Sequence, residues 1–427
     1  MDKILYIVHC VDTEGPLYES LPATFERLKN TFGIEMKPTK ENLLKLKNGE
    51  GLPENISSLV MEFVSDDRLN YNKTLGELEK MLDEILTENW RKKYKDDFGN
   101  GYIFNWFIMD HIGYEINPRR RLLGYNVLFE FYKEKLTEYE CANDEIQFHF
   151  HPVSYFREAH KCSNNLSYTN EHLQVLSRRV IDYQWFPSAF RPGMHSERPD
   201  LNLFLEMWIP FDYGNQAVER DDLNKKDLQK DLRGGRWGDW RRATTEWEIY
   251  HPDFYDYQKK GNMRRYIARS LNLNARLNAI NEYEIEKAFK RAESGKPTIM
   301  AICNHDEREM RPYIDWFYKT VRKIQQNYRE VKIKNSGAAS AMQEVLGLNK
   351  KNQLTIKAEI KYNQLFIKTD KECWGPQPYF CFKTRCGQYI WENLDFQDNN
   401  MWTFIFDDDT IPINKIEKIG IATNDRN

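Results

Sequence analysis

Val8-His9-Cys10-Val11-Asp12-Thr13-Glu14-Gly15-Pro16 is the stretch from which the fold is deduced. The apolar residues within Lys3–His9 predict a buried strand that leads into it. Asp12 and Glu14 lie two residues apart, so both side chains share one face of that strand. Functional sites of α/β sheets and barrels lie at the C-terminal ends of strands. The pair therefore predicts a metal ligand beside a base, whereas two solvated acids in a turn are the alternative for this segment alone.

A second strand, Glu145–Pro152, ends in a pair of histidines. His149 and His151 share one face, at about 6–7 Å along the strand for two rises of ~3.3 Å. The proline closes the strand because it cannot donate to a ladder. With Glu14 the histidines would make a His-His-carboxylate set, and three protein ligands with one open position are typical of catalytic zinc. A purely structural role for each histidine is the alternative.

Four motifs taken in order resemble those of the NodB-type polysaccharide deacetylases (the carbohydrate esterase family four superfamily), and of their WbmS-like branch. Val11–Pro16 occupies the place of the family's Thr-Phe-Asp-Asp-Gly-Pro motif, and Glu145–Gln147 precedes the histidine pair. Phe190–Gly193 resembles a shortened Arg-Pro-Pro-x-Gly motif, and Thr298–Asp306 contains a late histidine. The resemblance covers roughly residues 3–320 and depends on the order and strand context of the motifs.

The resemblance implies a metal centre. Its ligands would be Glu14, His149 and His151, while Asp12 would act as the general base and Arg191 would orient it. This chain has Glu in place of the family's Asp, and its histidines are two apart instead of four. Zinc (Zn2+) is the expected metal, with nickel, cobalt, iron and manganese as alternatives. An exchange of roles between Asp12 and Glu14 also stays open.

The remaining motif implies the proton donor and, with it, the reaction. His305 would protonate the leaving amine, and Asp306 would orient its imidazole. The expected enzyme is a hydrolase acting on a C–N amide bond, a metal-dependent deacetylase that removes an N-acetyl (or O-acetyl) group from a sugar in surface-polysaccharide or glycoconjugate biosynthesis. Its partner would be an acetylated saccharide, lipid-linked or nucleotide-linked.

Two other functions compete with this one. A glycoside hydrolase of related barrel type would place two carboxylates about 5–9.5 Å apart around the scissile bond. Asp12 or Glu14 together with Asp306 could supply them. A non-catalytic glycan-binding protein on the same fold is the second alternative, motivated by the altered motif spacing.

The order of elements predicts an α/β fold. Strands alternate with helices and end in polar residues, which is typical of parallel β/α units. The resemblance implies a distorted or incomplete (β/α) barrel of the polysaccharide-deacetylase type over residues 1–348, with insertions at 17–100 and 215–297. Short alternating strands over 349–427 predict a small all-β sandwich. That module would brace the enzyme or form a homodimer contact, with glycan or partner binding as the alternative.

Several segments carry narrower predictions. Apolar residues at helical spacing predict one amphipathic helix over 74–95. The strand 102–109 precedes His111, which would make a local hydrogen bond or else line the pocket. Loops at 233–242 and 247–256 are rich in Trp, Tyr and Arg, so they would wall a saccharide cleft or pack on their own aromatics.

Composition excludes some classes of protein. The net charge of -3 over 427 residues gives no reason to expect nucleic-acid binding, which requires a basic face. The sequence contains no run of 18 or more apolar residues, so it predicts no membrane span. No secretory leader is recognised, and seven cysteines form no CxxC pair, which together favour a reducing, cytoplasmic location.

Overall fold

The computed structural model describes residues 3–117, 123–159, 166, 170–219, 238–273, 278–348 and 354–425. The strands are β1 (Ile4–Thr13), β2 (Phe104–Ile108), β3 (Glu145–Phe150), β4 (Ala189–Pro192), β5 (Phe211–Asn215), β6 (Tyr266–Asn272), β7 (Thr298–His305), β8 (Lys332–Asn335), β9 (Ile356–Lys361), β10 (Gln364–Thr369), β11 (Tyr379–Thr384), β12 (Tyr389–Glu392), β13 (Asp395–Asp398), β14 (Met401–Ile405) and β15 (Ile416–Ala422). The helices are α1 (Leu21–Phe32), α2 (Lys40–Lys47), α3 (Glu54–Phe63), α4 (Asp66–Leu69), α5 (Leu75–Ile85), α6 (Glu88–Arg91), α7 (Val127–Glu138), α8 (Glu171–Tyr183), α9 (Pro199–Trp208), α10 (Glu282–Glu293), α11 (Arg311–Gln325) and α12 (Ala338–Val345).

Strands β1 to β7 form a closed parallel ring. Each pairs with the next, and β7 pairs back with β1 over Leu5–Asp12. The later half of β1, His9–Thr13, pairs with β2, while its first half, Ile4–Ile7, also pairs with β8. The predicted α/β barrel with a β region at its C-terminal side is confirmed, and the ring closes with seven strands.

Side-chain alternation along β1 separates an apolar interior from a polar rim. Val8 and Cys10 belong to a core cluster whose members come from β1, β2, β4, β5, β6 and β7, so this cluster fills the inside of the ring. Asp12 has the same parity and therefore also points inward, one level closer to the C-terminal end. Small residues of α12, among them Ala338 and Ala341, complete the same core. Polar side chains face inward at both ends of this apolar layer: Asp12 lies at the C-terminal end, and on the α12 side Asn105 and Glu145 accept hydrogen bonds from backbone N–H groups of that helix.

The assignment of residues 215–297 to an insertion is wrong for two elements. Residues 266–272 form β6, which completes the ring between β5 and β7, and α10 follows it. The strand was missed because Arg269 and Ser270 interrupt its apolar pattern. Both are buried with partners: Arg269 makes a bidentate ion pair with Glu284 at 2.6 and 2.8 Å, and Ser270 accepts a hydrogen bond from Arg191 at 2.6 Å.

The first predicted insertion has two parts, and the single helix predicted over 74–95 is broken. Within 17–72, helices α1 to α3 pack around their own small core, and Leu17 N–H donates to Asn72 O at 2.9 Å where that segment starts and ends. Helix α5 packs instead on the barrel. It ends at Ile85, because the hydroxyl of Thr87 caps a new helix by accepting from the Trp90 N–H.

The C-terminal residues form two antiparallel sheets, ordered β13-β14-β10-β9 and β12-β11-β15. Apolar side chains of both sheets share one core. This region is attached to the barrel through α8, where Ser177 Oγ lies 3.0 Å from the Tyr379 hydroxyl and Asp182 accepts from Tyr389 at 2.6 Å. The predicted boundary at 349–352 lies outside the described residues. Within the described part of the chain, no helix has both the length and the apolar character needed to cross a membrane.

One buried histidine of α8 makes stability depend on pH. His172 packs between the rings of Phe150 and Phe204, and burial lowers its pKa from 6.5 to about 4. The folded state thus favours neutral His172. The contribution of this residue to the free energy of unfolding is therefore complete above pH 6.5 and is lost as the pH falls towards 4. We expect His172→Leu to lose less unfolding free energy than the wild type between pH 6.5 and 5, by up to ~1.4 kcal/mol per pH unit. Urea denaturation at each pH measures this difference, and equal pH slopes for the two proteins would contradict it.

Candidate metal centre

Three predicted ligands meet at the C-terminal end of the ring. Glu14 follows β1, while His149 and His151 lie on and directly after β3. His151 Nε2 lies 3.3 Å from Glu14 Oε1, His149 Nε2 lies 3.8 Å from the same oxygen, and the two Nε2 atoms are 3.0 Å apart. All three residues are buried, and their ligand atoms lie within 4.8 Å of one another. This group could hold one metal ion.

The tautomer of His149 suits a metal ligand. Its Nδ1 lies 2.8 Å from Arg191 O, and a carbonyl oxygen only accepts, so Nδ1 carries the proton. The lone pair is then on Nε2, which faces His151 and Glu14. A backbone carbonyl that fixes the tautomer of a histidine in this way is the usual outer partner of a metal-bound imidazole. Two imidazoles and a carboxylate in a buried site fit zinc by donor type and number.

The turn after β4 fixes the ring of His151. A Cβ atom added to Gly193 would lie 2.3 Å from Cδ2 and 2.4 Å from Cγ of His151. The backbone of Gly193 thus packs directly against the imidazole and leaves no space for a side chain. This close approach explains why glycine follows Arg191-Pro192.

Asp12 and Arg191 form a buried ion pair next to these ligands. Arg191 Nε donates to Asp12 Oδ1 at 2.6 Å and its NH2 group donates to Oδ2 at 3.0 Å, while its NH1 group donates to Tyr213 O and Ser270 Oγ. Burial alone would raise the pKa of Asp12, but the charge and hydrogen bonds of Arg191 hold that pKa well below its ordinary range. Asp12 is therefore ionised at neutral pH, and its Oδ1 lies 3.8 Å from His149 Nδ1.

His305 lies at the more exposed side of the group. It ends β7, in register with Asp12 on β1, and its Nε2 is 3.4 Å from Glu14 Oε1. Its side chain is 32% exposed, compared with 10% for that of Glu14. Burial lowers the pKa of His305, but the hydrogen bond and negative charge of Glu14 outweigh this effect and raise it to about 9. The imidazole therefore carries a proton at neutral pH.

Asp306 has a different position from the one predicted. Its carboxylate accepts hydrogen bonds from the backbone N–H groups of Glu14 and Gly15 and from the Tyr132 hydroxyl. These bonds make it a support of the acidic turn, whereas the sequence interpretation paired it with His305. His305 and Asp306 are neighbours in sequence, but His305 contacts the carboxylate of Glu14, whereas Asp306 binds the backbone of Glu14 and Gly15.

His111 and His195 are further histidines near the acidic turn and the third motif. His111 Nε2 donates to Glu14 O at 2.7 Å, which matches the local hydrogen bond predicted as one of its two roles. The sequence pattern does not single out His195, because it lies beyond the Phe190–Gly193 motif. It is buried with φ of 52°, and burial followed by the charge of Arg191 lowers its pKa well below the ordinary value. A histidine two residues after the motif was the available signal.

Two tryptophans of the aromatic loops predicted at 233–242 and 247–256 serve packing. Trp240 and Trp247 are buried, and their indole N–H groups donate to backbone carbonyls. Two arginines that follow His305 in sequence are also engaged within the chain: Arg308 donates to Arg68 O, and Arg311 pairs with Glu84 and Glu309. Residues 220–237, which include part of the first aromatic loop, lie outside the described residues.

Comparisons with family models, with curated proteins and with solved structures found no match. The resemblance to NodB-type deacetylases therefore depends on the motifs, and what the structure adds is the geometry of the residues in them.

The contact between Gly193 and His151 gives a direct test. We expect Gly193→Ala to displace the His151 imidazole and to weaken Zn2+ binding by about 10-fold or more, the scale seen when the support of a ligand is removed. Competition with a chromophoric chelator measures the affinity, and circular dichroism checks the fold. Gly76→Ala is the matched control, since nothing lies within 4 Å of a Cβ atom there. Equal zinc affinity in both variants would show that the close approach does not hold the ligand.

Proposed function

We propose that this protein is a metal-dependent deacetylase that hydrolyses an N-acetyl or O-acetyl group on a sugar. The observation that carries the proposal is the buried Glu14-His149-His151 group, with the Asp12–Arg191 ion pair and the His305 imidazole beside it. A proton acceptor, a proton donor and a set of metal donors are the groups that metal-assisted hydrolysis requires. The choice of an acetylated sugar, lipid-linked or nucleotide-linked, comes from the motif resemblance.

Zinc held by these three residues would supply Lewis-acid polarisation of the acetyl carbonyl and an acidified water, whose pKa falls from about 15.7 towards ~7. Asp12 is the proton acceptor in this proposal. Arg191 occupies both of its oxygens, which keeps the carboxylate ionised and fixed in direction. Because a low pKa makes Asp12 a weak base, it can take a proton only from a donor that is already acidified.

His305 is the proposed proton donor. Its Nε2 would pass a proton to the leaving nitrogen, since the His305 side chain is 32% exposed and lies beside the ligand group, 3.4 Å from Glu14 Oε1. Glu14 holds that proton in the resting site through its 3.4 Å contact. Asp12, His149 and Arg191 are buried, so the proposed base and its neighbours lie away from bulk solvent.

Acetate release tests the proposal. Zinc-loaded protein is incubated with a panel of acetylated sugar nucleotides and acetylated glycolipids, and acetate is followed by proton NMR. We expect release by the wild type, loss on chelation and recovery when zinc is restored. Asp12→Asn should lower kcat by about 100-fold or more, because general base catalysis contributes on this scale. Circular dichroism and zinc content are measured on the same sample, since this change leaves the buried Arg191 without its carboxylate. Asp315→Asn is the matched control, since Asp315 pairs with Lys319 on the surface of α11.

The same experiment separates the two alternatives. Cleavage of a glycosidic bond that survives complete removal of metal would favour a glycoside hydrolase. Asp306 argues against that role, since its carboxylate is buried beneath the acidic turn and engaged by backbone N–H groups. Retention of a sugar without acetate release from any member of the panel would instead favour a binding protein.

A further inference from the structure

The backbone of Glu14 is held at both of its peptide groups. Its N–H donates to Asp306 Oδ1 at 3.0 Å, and its carbonyl accepts from His111 Nε2 at 2.7 Å. Both partners are buried, so neither bond competes freely with water. A glutamate side chain has three rotatable bonds, and fixing its backbone is one way to aim its carboxylate at the histidine pair.

Asp306 also carries the rest of the acidic turn. Gly15 N–H lies 3.0 Å from both carboxylate oxygens, and the Tyr132 hydroxyl donates to Oδ2 at 2.8 Å. Gly15 has φ of +72°, and a Cβ atom there would lie 2.7 Å from Leu128 Cδ2. Tyr132 and Leu128 both belong to α7. The acidic turn therefore contacts α7 in two ways: Gly15 packs against Leu128, and Asp306 binds the Tyr132 hydroxyl.

The main chain of Asp306 is fixed in turn. Its carbonyl accepts from Asn72 Nδ2 at 2.9 Å, and the Asn72 N–H donates to Glu307 O at 2.7 Å. Asn72 ends the helical segment that begins at Leu17, directly after the acidic turn. From the loop after β7, Asp306 thus joins three other segments: the end of β1, helix α7 and the helical segment 17–72.

We propose that Asp306 and Tyr132 are positioning residues that set the metal affinity by fixing the backbone of Glu14. This inference rests on the metal centre of the proposed function but not on the reaction. An aspartate can accept all of these hydrogen bonds, whereas an asparagine would turn an amide N–H towards one of the donors. Outer partners of metal ligands change metal affinity by about 10- to 100-fold when they are removed.

Zinc affinity of the full chain is the test, measured with Zn2+ alone by competition with a chromophoric chelator. We expect Asp306→Asn to weaken binding by about 10- to 100-fold, and Tyr132→Phe to weaken it by a smaller factor because only one hydroxyl is lost. Tyr139→Phe is the matched control. It removes a hydroxyl directly after α7 whose partner is the surface residue Asp83.

The outcomes are distinguishable. Thermal unfolding of metal-free protein checks the fold, and Tyr132→Phe keeps the test decisive if Asp306→Asn does not fold. Unchanged zinc affinity in Tyr132→Phe and in any folded Asp306→Asn would overturn the positioning role. If Asp306→Asn lowers kcat while its zinc affinity is unchanged, the positioning role is wrong, and orientation of His305 becomes the role of Asp306. A wild-type chain that binds no zinc would overturn the metal centre, and the positioning role with it.

Discussion

A single buried arginine connects the strands that form the site. Arg191 on β4 binds Asp12 of β1, the carbonyl of Tyr213 on β5 and the hydroxyl of Ser270 on β6, and its own carbonyl accepts from His149 on β3. A guanidinium inside a protein requires a paired carboxylate and satisfied donors, since an unpaired charge there costs several kcal/mol. The ionisation state of Asp12 thus depends on the Arg191 side chain, and the tautomer of His149 depends on the Arg191 carbonyl.

The residues that stabilise the ring and the residues of the candidate site lie at different levels along the barrel axis. Most inward-facing residues below Asp12 are apolar and share one core with α12, and Asn105 and Glu145 bind the backbone at the start of that helix. Further polar inward-facing residues lie at the C-terminal ends of the strands. There the loops supply the fixed groups: Gly193 packs against His151, and Asp306 and His111 hold the peptide groups of Glu14. The apolar layer thus provides a rigid base on which loop residues set the ligand geometry.

Much of this arrangement was predictable from two strand ends. Parallel strands of one ring have their C-terminal ends on the same side, so the acidic turn and the histidine pair were expected to converge. The rest depends on contacts distant in sequence. Strand β6 resembles a loop until Arg269 is seen to pair with Glu284. The role of Asp306 was also inaccessible, because adjacency to His305 suggested a dyad and nothing in the sequence indicated the turn 292 residues away.

X-ray absorption spectroscopy at the zinc edge tests most directly whether the acidic turn and the imidazole pair bind one cation. For wild-type protein loaded with one equivalent of zinc, the expected spectrum shows two imidazoles and one carboxylate, with nitrogen and oxygen at about 2.0–2.2 Å. His149→Ala should lose zinc or show one imidazole fewer. A spectrum with sulfur ligands, or one that His149→Ala leaves unchanged, would contradict the assignment of Glu14, His149 and His151 as ligands.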